Sequence, residues 1–208
     1  IVPRRGYGAV DEANTRGEDD RIMYVMRGRR VALRPVTPED FPLLVKWNLD
    51  EGLNELAGGA RPTTLEECAL WHKRLQSHRH WQLFGIEAAE VGLIGDIELD
   101  HIAWRSGEAE LRVRIGEPSL RGKGLGTEAV RLMLAYAFER LNLTRVYVRV
   151  LASNRQAIAS YRKAGLKSEG FLTRSIPGRS VRIVLMRILR DEFHSVNVRR
   201  AQGIAADM

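Results

Sequence analysis

The run Arg121-Gly122-Lys123-Gly124-Leu125-Gly126-Thr127 opens the amphipathic stretch Glu128–Leu141. Three glycines at alternate positions let a loop turn tightly and present backbone N–H groups with no side chain in the way. A helix beginning there aims its unpaired amides and the positive end of its dipole at the same spot, and Arg121 and Lys123 add charge. The pattern describes a seat for a pyrophosphate; the plainer reading is a structural turn with Thr127 as helix N-cap. Two familiar phosphate loops fit badly. A Walker loop ends in Gly-Lys-Ser/Thr, whereas Thr127 follows Gly126 directly. A dinucleotide fingerprint reads G-x-G-x-x-G after a first strand, but this run is G-x-G-x-G, mid-chain, behind Pro118-Ser119-Leu120.

Working outward, Glu108–Ile115 alternates, with Ala109, Leu111, Val113 and Ile115 on one side and Glu108, Glu110, Arg112 and Arg114 on the other. It predicts a strand leading into the loop, then a helix over Gly124–Leu141, then the β-branched strand Thr144–Val150. Ser153-x-x-Gln156 predicts a capping box for a helix up to Lys163. Leu166–Arg174 and Val181–Leu189 read as a hairpin around Pro177-Gly178-Arg179. Upstream, Arg30–Val36 reads as a strand, Thr37 as N-cap of a helix with Asp40 completing a box, and Pro62-Thr63-Thr64 as the start of a second helix. In that helix Leu65, Cys68, Ala69, Trp71, His72 and Leu75 follow helical spacing. Trp81–Glu87 and Glu90–Leu99 read as two strands joined by a turn. The expected organisation is an extension over residues 1–28, one α/β (α+β) domain over 29–193 and a tail over 194–208.

Composition sets limits. With 208 residues and 44% hydrophobic content the chain suffices for one domain with a real core. No apolar run approaches a membrane span, and Pro3-Arg4-Arg5 followed by polar sequence lacks a signal-peptide core, so the expected compartment is cytoplasmic. The single cysteine, Cys68, excludes an internal disulfide and any multi-cysteine zinc site, and no H-x-x-x-H pair exists, so no metal is expected. The net charge of +7 invites nucleic acid, but the cations are scattered and no recognition motif is present; a polyanionic cofactor accounts for part of the charge.

The loop spacing resembles the acetyl-coenzyme A loop of the GNAT acetyltransferases, Arg/Gln-x-x-Gly-x-Gly/Ala, with Arg121, Gly124 and Gly126 on its fixed places. Asn154–Leu166 is similar to that family's N-x-x-A-x-x-x-Y-x-x-x-G-F, with Leu166 in the aromatic's place. Arg30–Val36 with Glu39-Asp40 resembles the "V-x-L-R-P…E-D" opening of the subgroup that includes the ribosomal-protein N-terminal acetyltransferases (RimJ/RimL-like), and Val184–Phe193 resembles its last strand and "L-x-R-D-E-W" tail. The likeness covers about residues 29–193. It implies a GNAT fold: a mixed, mostly antiparallel sheet, splayed at the cofactor cleft, with helices on both faces.

The same resemblance implies acetyl-CoA as cofactor and direct attack of a primary amine on the thioester. Tyr161 becomes the candidate acid and Glu110 the candidate base; Glu98, Asp96 and Asp100 on the preceding strand are alternatives for the base, Asp96 and Glu98 falling on one face by alternation. The cofactor would meet Arg112, Val113 and Arg114 along the strand, Arg121, Gly122, Lys123, Gly124, Leu125, Gly126 and Thr127 in the loop, and Asn154, Ala157 and Tyr161 on the following helix. Tyr161 also reads as a helix-face core tyrosine and Asn154 as a capping residue. The sequence departs from the family at Arg112 and Val113, where a glycine and an aromatic are usual, and at Arg182, where aspartate is frequent. The expected acceptor is a protein N-terminus, with a small-molecule amine or antibiotic as the alternative and a non-catalytic acyl-CoA-binding protein as the second. Direct nucleic-acid binding is not expected as a main role, nor a membrane partner, and whether the hairpin Leu166–Leu189 pairs two copies into a homodimer is left open.

Overall fold

The computed structural model describes residues 23–57, 61–176 and 179–201. Its strands are β1 (Met26–Arg27), β2 (Val31–Pro35), β3 (Gln82–Ala88), β4 (Gly92–Ala103), β5 (Glu108–Ile115), β6 (Arg145–Leu151), β7 (Lys167–Ile176) and β8 (Arg179–Leu189). They form one sheet in the order β1-β2-β3-β4-β5-β6-β8-β7. Every neighbouring pair is antiparallel except β5 and β6, which run parallel. That parallel pair is joined only at Glu108↔Arg145, Ala109↔Val146 and Glu110↔Tyr147. Beyond Glu110 the two strands part, so the sheet forks in its middle.

The helices are α1 (Phe41–Asn48), α2 (Glu51–Ala57), α3 (Leu65–Gln76), α4 (Leu125–Ala135), α5 (Arg155–Ala164) and α6 (Arg190–Ala201), and they flank the sheet on both faces. α4 carries the main core: Ala129, Val130, Met133 and Leu134 are fully buried beside Ile97, Leu99, Leu111, Val146 and Ile188. A second core, Val36, Phe41, Leu44, Trp47, Leu53, Cys68 and Leu93, seats α1 to α3 against the other part of the sheet. No described helix is long and apolar enough to cross a membrane.

Three local expectations change, and one helix was not foreseen. The helix expected to run to Leu141 stops being α-helical at Ala135 and passes into a π turn, Tyr136–Arg140, closed by Leu141 N–H onto the Tyr136 carbonyl at 3.1 Å. The cap of α5 is Asn154 rather than Ser153: its Oδ1 accepts from Ala157 N–H at 3.1 Å. α2 had no periodicity to announce it; Asp50 starts it by accepting from Leu53 N–H at 3.0 Å, and Leu53 anchors it in the second core. Leu65 and Ala69, expected on the buried face of α3, are exposed, while Cys68 on that face is fully buried. The sheet takes in Met26–Arg27, ahead of the expected domain start, and the turn expected at Pro177-Gly178 lies outside the described residues.

Candidate active site

The loop 121–127 adopts the tight course that its glycines permit. Gly122 and Gly124 have φ of +77° and +83°, a region costly for residues bearing a Cβ. Gly124 is the N-cap of α4, and the helical ladder begins with Glu128 N–H on the Gly124 carbonyl at 3.1 Å, which leaves the amides of Leu125, Gly126 and Thr127 at an open helix end. Arg121 does not reach out: its Nε and Nη2 donate to the carbonyls of Ile115 and Gly116, each at 2.9 Å, stapling the loop to the end of β5. Thr127 is not the N-cap; its Oγ1 bonds Ser160 Oγ at 2.8 Å and ties α4 to α5.

A cation that sequence reading missed stands beside this loop. Arg30, from the turn into β2, donates Nε to Glu128 at 3.1 Å and Nη1 to the Lys123 carbonyl at 2.9 Å. Glu128 also accepts the N–H groups of Arg29 and Arg30, at 2.6 and 2.8 Å, so the N-terminal strand pair is clamped to the first turn of α4. The Arg30 guanidinium lies 3.2 Å from where a Cβ on Gly124 would stand. The signal was absent because the contact spans more than ninety positions.

A cleft of about 250 Å³ runs from this loop into the fork. Of the residues proposed from sequence for the cofactor, Val113, Arg114, Arg121, Gly122, Gly124, Gly126, Thr127, Asn154, Ala157 and Tyr161 line it, whereas Arg112, Lys123 and Leu125 do not, and neither do the candidate bases Glu98 and Glu110. Leu53, Ile115, Gln156 and Lys163 line it unforeseen. Tyr161 is buried, its hydroxyl has no hydrogen-bond partner among the described residues, and its pKa is pushed up by burial and, secondarily, by the charge of Glu110. It therefore stays protonated at neutral pH.

The candidate bases lie on one face of the β4–β5 ladder, in the rungs Asp96↔Arg114, Glu98↔Arg112 and Asp100↔Glu110. They are not solvated, and each is held by arginines. Glu98 accepts from Arg61 Nη2 at 3.0 Å, Trp81 Nε1 at 2.9 Å and Arg112 Nη1 at 3.4 Å. Glu110 accepts from Arg112 Nη2 at 3.2 Å and from Arg149 Nε and Nη2 at 3.0 and 2.5 Å. Asp96 is paired with Arg114, whose Nη2 is 2.6 Å away and whose Nη1 donates to Asn48 at 2.7 Å. Arg112, expected to meet the cofactor, turns instead toward Glu98, Asp100 and Glu110. Arg182, in the place of a frequent aspartate, stacks over the Phe171 ring at 3.6 Å and joins no ion pair of this cluster.

A glycine-walled cleft under a helix N-terminus, opening into a forked sheet beside a buried tyrosine, defines an acyl-coenzyme A transferase. The chain belongs to the acetyltransferase (GNAT) domain family, whose model matches residues 30–167. It is an acetyl-CoA-dependent acetyltransferase. Human alpha/beta-tubulin-N-acetyltransferase 9 is 33% identical over 155 residues, covering 67% of this chain and 73% of its own. The spermidine N(1)-acetyltransferase of Vibrio cholerae is 32% identical over 131 residues, covering 62% and 73%. The structure of a spermidine N-acetyltransferase from Vibrio cholerae, in complex with CoA and spermine, matches with a TM-score of 0.73 at 25% identity, covering 79% of this chain and 98% of that one.

These findings correct the expected nearness to the ribosomal-protein N-terminal acetyltransferases: the likeness runs to spermidine acetyltransferases. The two motifs that suggested it do structural work. Arg34 is buried and pairs bidentately with Asp40, at 2.7 and 2.8 Å, which explains the R-P…E-D spacing. Glu192 accepts Leu189 N–H at 3.0 Å to cap α6, Arg190 donates Nε to the Leu143 carbonyl at 2.7 Å, and Phe193 packs on Phe138. Such contacts serve packing and identify no acceptor. The expected protein N-terminal acceptor falls with them, since the proteins matched by sequence and by structure include spermidine acetyltransferases.

Proposed function

We propose that the protein transfers the acetyl group of acetyl-CoA directly to a primary amine of a small polyamine, with Glu110 receiving the amine and Tyr161 supplying the proton. The observation that carries this reading is the position of Glu110 at the last joined rung of β5 and β6, where the fork opens, with its charge felt by Tyr161. The likeness to spermidine acetyltransferases supports the acceptor class. Glu98, fully buried behind Arg61, Arg112 and Trp81, buttresses the acidic face in this reading. The one cysteine suits a cytoplasmic setting.

The glycine loop fits the anionic end of acetyl-CoA. No side chain stands at Gly122, Gly124 or Gly126, amides face outward at the helix end, and Arg30 adds a cation where a Cβ on Gly124 would crowd it. Asn154 is spent on its cap, so it shapes the cleft wall through α5. When bound, acetyl-CoA supplies an activated acyl group as a thioester. The chain's own residues hold and move protons. An ammonium seated at Glu110 must lose one proton before nitrogen can attack, and Tyr161 retains one for the group that leaves. A covalent relay through Cys68 has no support, since that thiol is fully buried in the second core and burial pushes its pKa up.

Incubation with acetyl-CoA and a panel of spermidine, a simple monoamine and a peptide with a free N-terminus, read by product mass, tests the reading. Acetylspermidine is the expected product; acetylation confined to the peptide would overturn it. Tyr161→Phe keeps the ring and its packing while removing the hydroxyl. It is expected to lower kcat roughly 100-fold with acetyl-CoA affinity nearly unchanged. Full kcat across the pH profile in the variant would return Tyr161 to the role of a core tyrosine.

A further inference from the structure

Four carboxylates on the acidic face, Asp96, Glu98, Asp100 and Glu110, meet four guanidiniums, those of Arg61, Arg112, Arg114 and Arg149. The four carboxylate and four guanidinium charges match, as burial requires, and the exposed His101 ring stands 3.0 Å from Asp100 and 3.9 Å from Glu110. The four arginines are not held alike. Arg114 is buried between Asp96 and Asn48, and Arg61 is buried between Asp96 and Glu98, at 3.3 and 3.0 Å. Arg112 is shared among three carboxylates. Arg149 alone has a side chain that is 46% exposed, and its ion pair is to a single carboxylate, Glu110, whose side chain is 3% exposed. It comes from β6 and reaches Glu110 on β5, across the two strands just where their pairing ends.

We propose that Arg149 is a specificity-determining residue: its guanidinium holds the cation seat on Glu110 and yields it to the acceptor's ammonium. The inference rests on the reading of Glu110 as the amine-receiving carboxylate. Glu110 is covered, so a cation that reaches it takes the place of a present partner. Arg149 is the partner whose departure exposes no other charge, since its charge can move into water on a flexible stem. An ammonium in its place keeps the face neutral. A neutral molecule in its place would leave Glu110 only Arg112, which it shares with Glu98 and Asp100, and the exposed His101 ring at 3.9 Å. The seat therefore admits cationic acceptors and refuses uncharged ones, which sequence alone did not suggest for an arginine on a strand following the cofactor helix.

Calorimetric titration with methylguanidinium tests this without reference to the acceptor's identity. The R149A variant is expected to bind methylguanidinium, the wild-type protein at least about tenfold more weakly, and the R149A/E110Q double variant not at all. For spermidine, R149A is expected to show a KM lowered about tenfold, and R149Q, which keeps a neutral donor to Glu110, a smaller fall in the same direction. Absence of methylguanidinium binding in an R149A protein with wild-type melting temperature would overturn the proposal. So would equal binding to the wild type, or a raised KM in both variants. If R149A does not fold, the same titration and KM on R149Q decide it. Failure of the wild type to acetylate spermidine would remove the polyamine reading alone, because the methylguanidinium titration still decides what sits on Glu110.

Discussion

Replacing Gly124 by valine is expected to weaken acetyl-CoA binding at least about 100-fold, close to 2.7 kcal/mol, while leaving the fold in place. Two effects act together. Gly124 holds φ of +83° as N-cap of α4, a conformation that a β-branched residue adopts only at a cost of about 1–3 kcal/mol. The new Cβ would also stand 3.2 Å from Arg30 Nη2, and relief of that crowding moves either the guanidinium or the loop. Both responses disturb the amides and the cation that face the cleft. Gly124→Ala brings both effects without the branched methyls, so a smaller loss in the same direction is expected. Calorimetry on the folded variants reads the affinity, and an unchanged Kd for Gly124→Val would show that the loop does not carry the anionic end of acetyl-CoA.

Arg114→Leu is expected to destabilise the protein by about 3–5 kcal/mol, the usual loss when one partner of a buried ion pair is removed. Asp96 would then keep only Arg61 Nη1 at 3.3 Å, a contact without hydrogen-bond geometry, and Asn48 would lose the donor at 2.7 Å. For a chain of this length the melting temperature should fall by roughly 6–20 °C. Asp96→Leu combined with Arg114→Leu should recover part of the loss, because an apolar pair of similar volume leaves fewer stranded charges. A single-variant loss below about 1 kcal/mol, the range of exposed pairs, would mean that this end of the ladder is solvated. The measurement belongs on the protein without acetyl-CoA, since Arg114 also lines the cleft.

Much of the site was legible because its requirements are local. A G-x-G-x-G loop before an apolar-periodic segment needs only neighbouring residues to form, and the structure places Gly122, Gly124 and Gly126 on the cleft wall. The strand Glu108–Ile115 was read to its ends, since alternation is a property of the segment itself. The same locality misled where two local devices compete. Ser153 and Asn154 are both good caps, and only the geometry of α5 selects Asn154. Thr127 is a fair N-cap by type, but Gly124 already fills that role three residues earlier. The π turn at Tyr136–Arg140 left no mark, because Ala137 and Phe138 are buried on either reading.

The partners of the carboxylates were beyond the sequence. Asp96, Glu98 and Glu110 were visible as strand-face acids, but Arg61, Arg112, Arg114 and Arg149 come to them from a helix approach and two different strands. Arg30 likewise reaches the loop from the far end of the chain. By itself the sequence determined the loop, the alternation of β5, the helix that follows and the family to which their order belongs, since each depends on side chains within a few positions of one another. Only the tertiary structure decided which acids are covered, which arginines are locked and which one stands half in water at the fork. Burial and Coulomb energy depend on distances between segments, and those distances exist only once the sheet has closed around them.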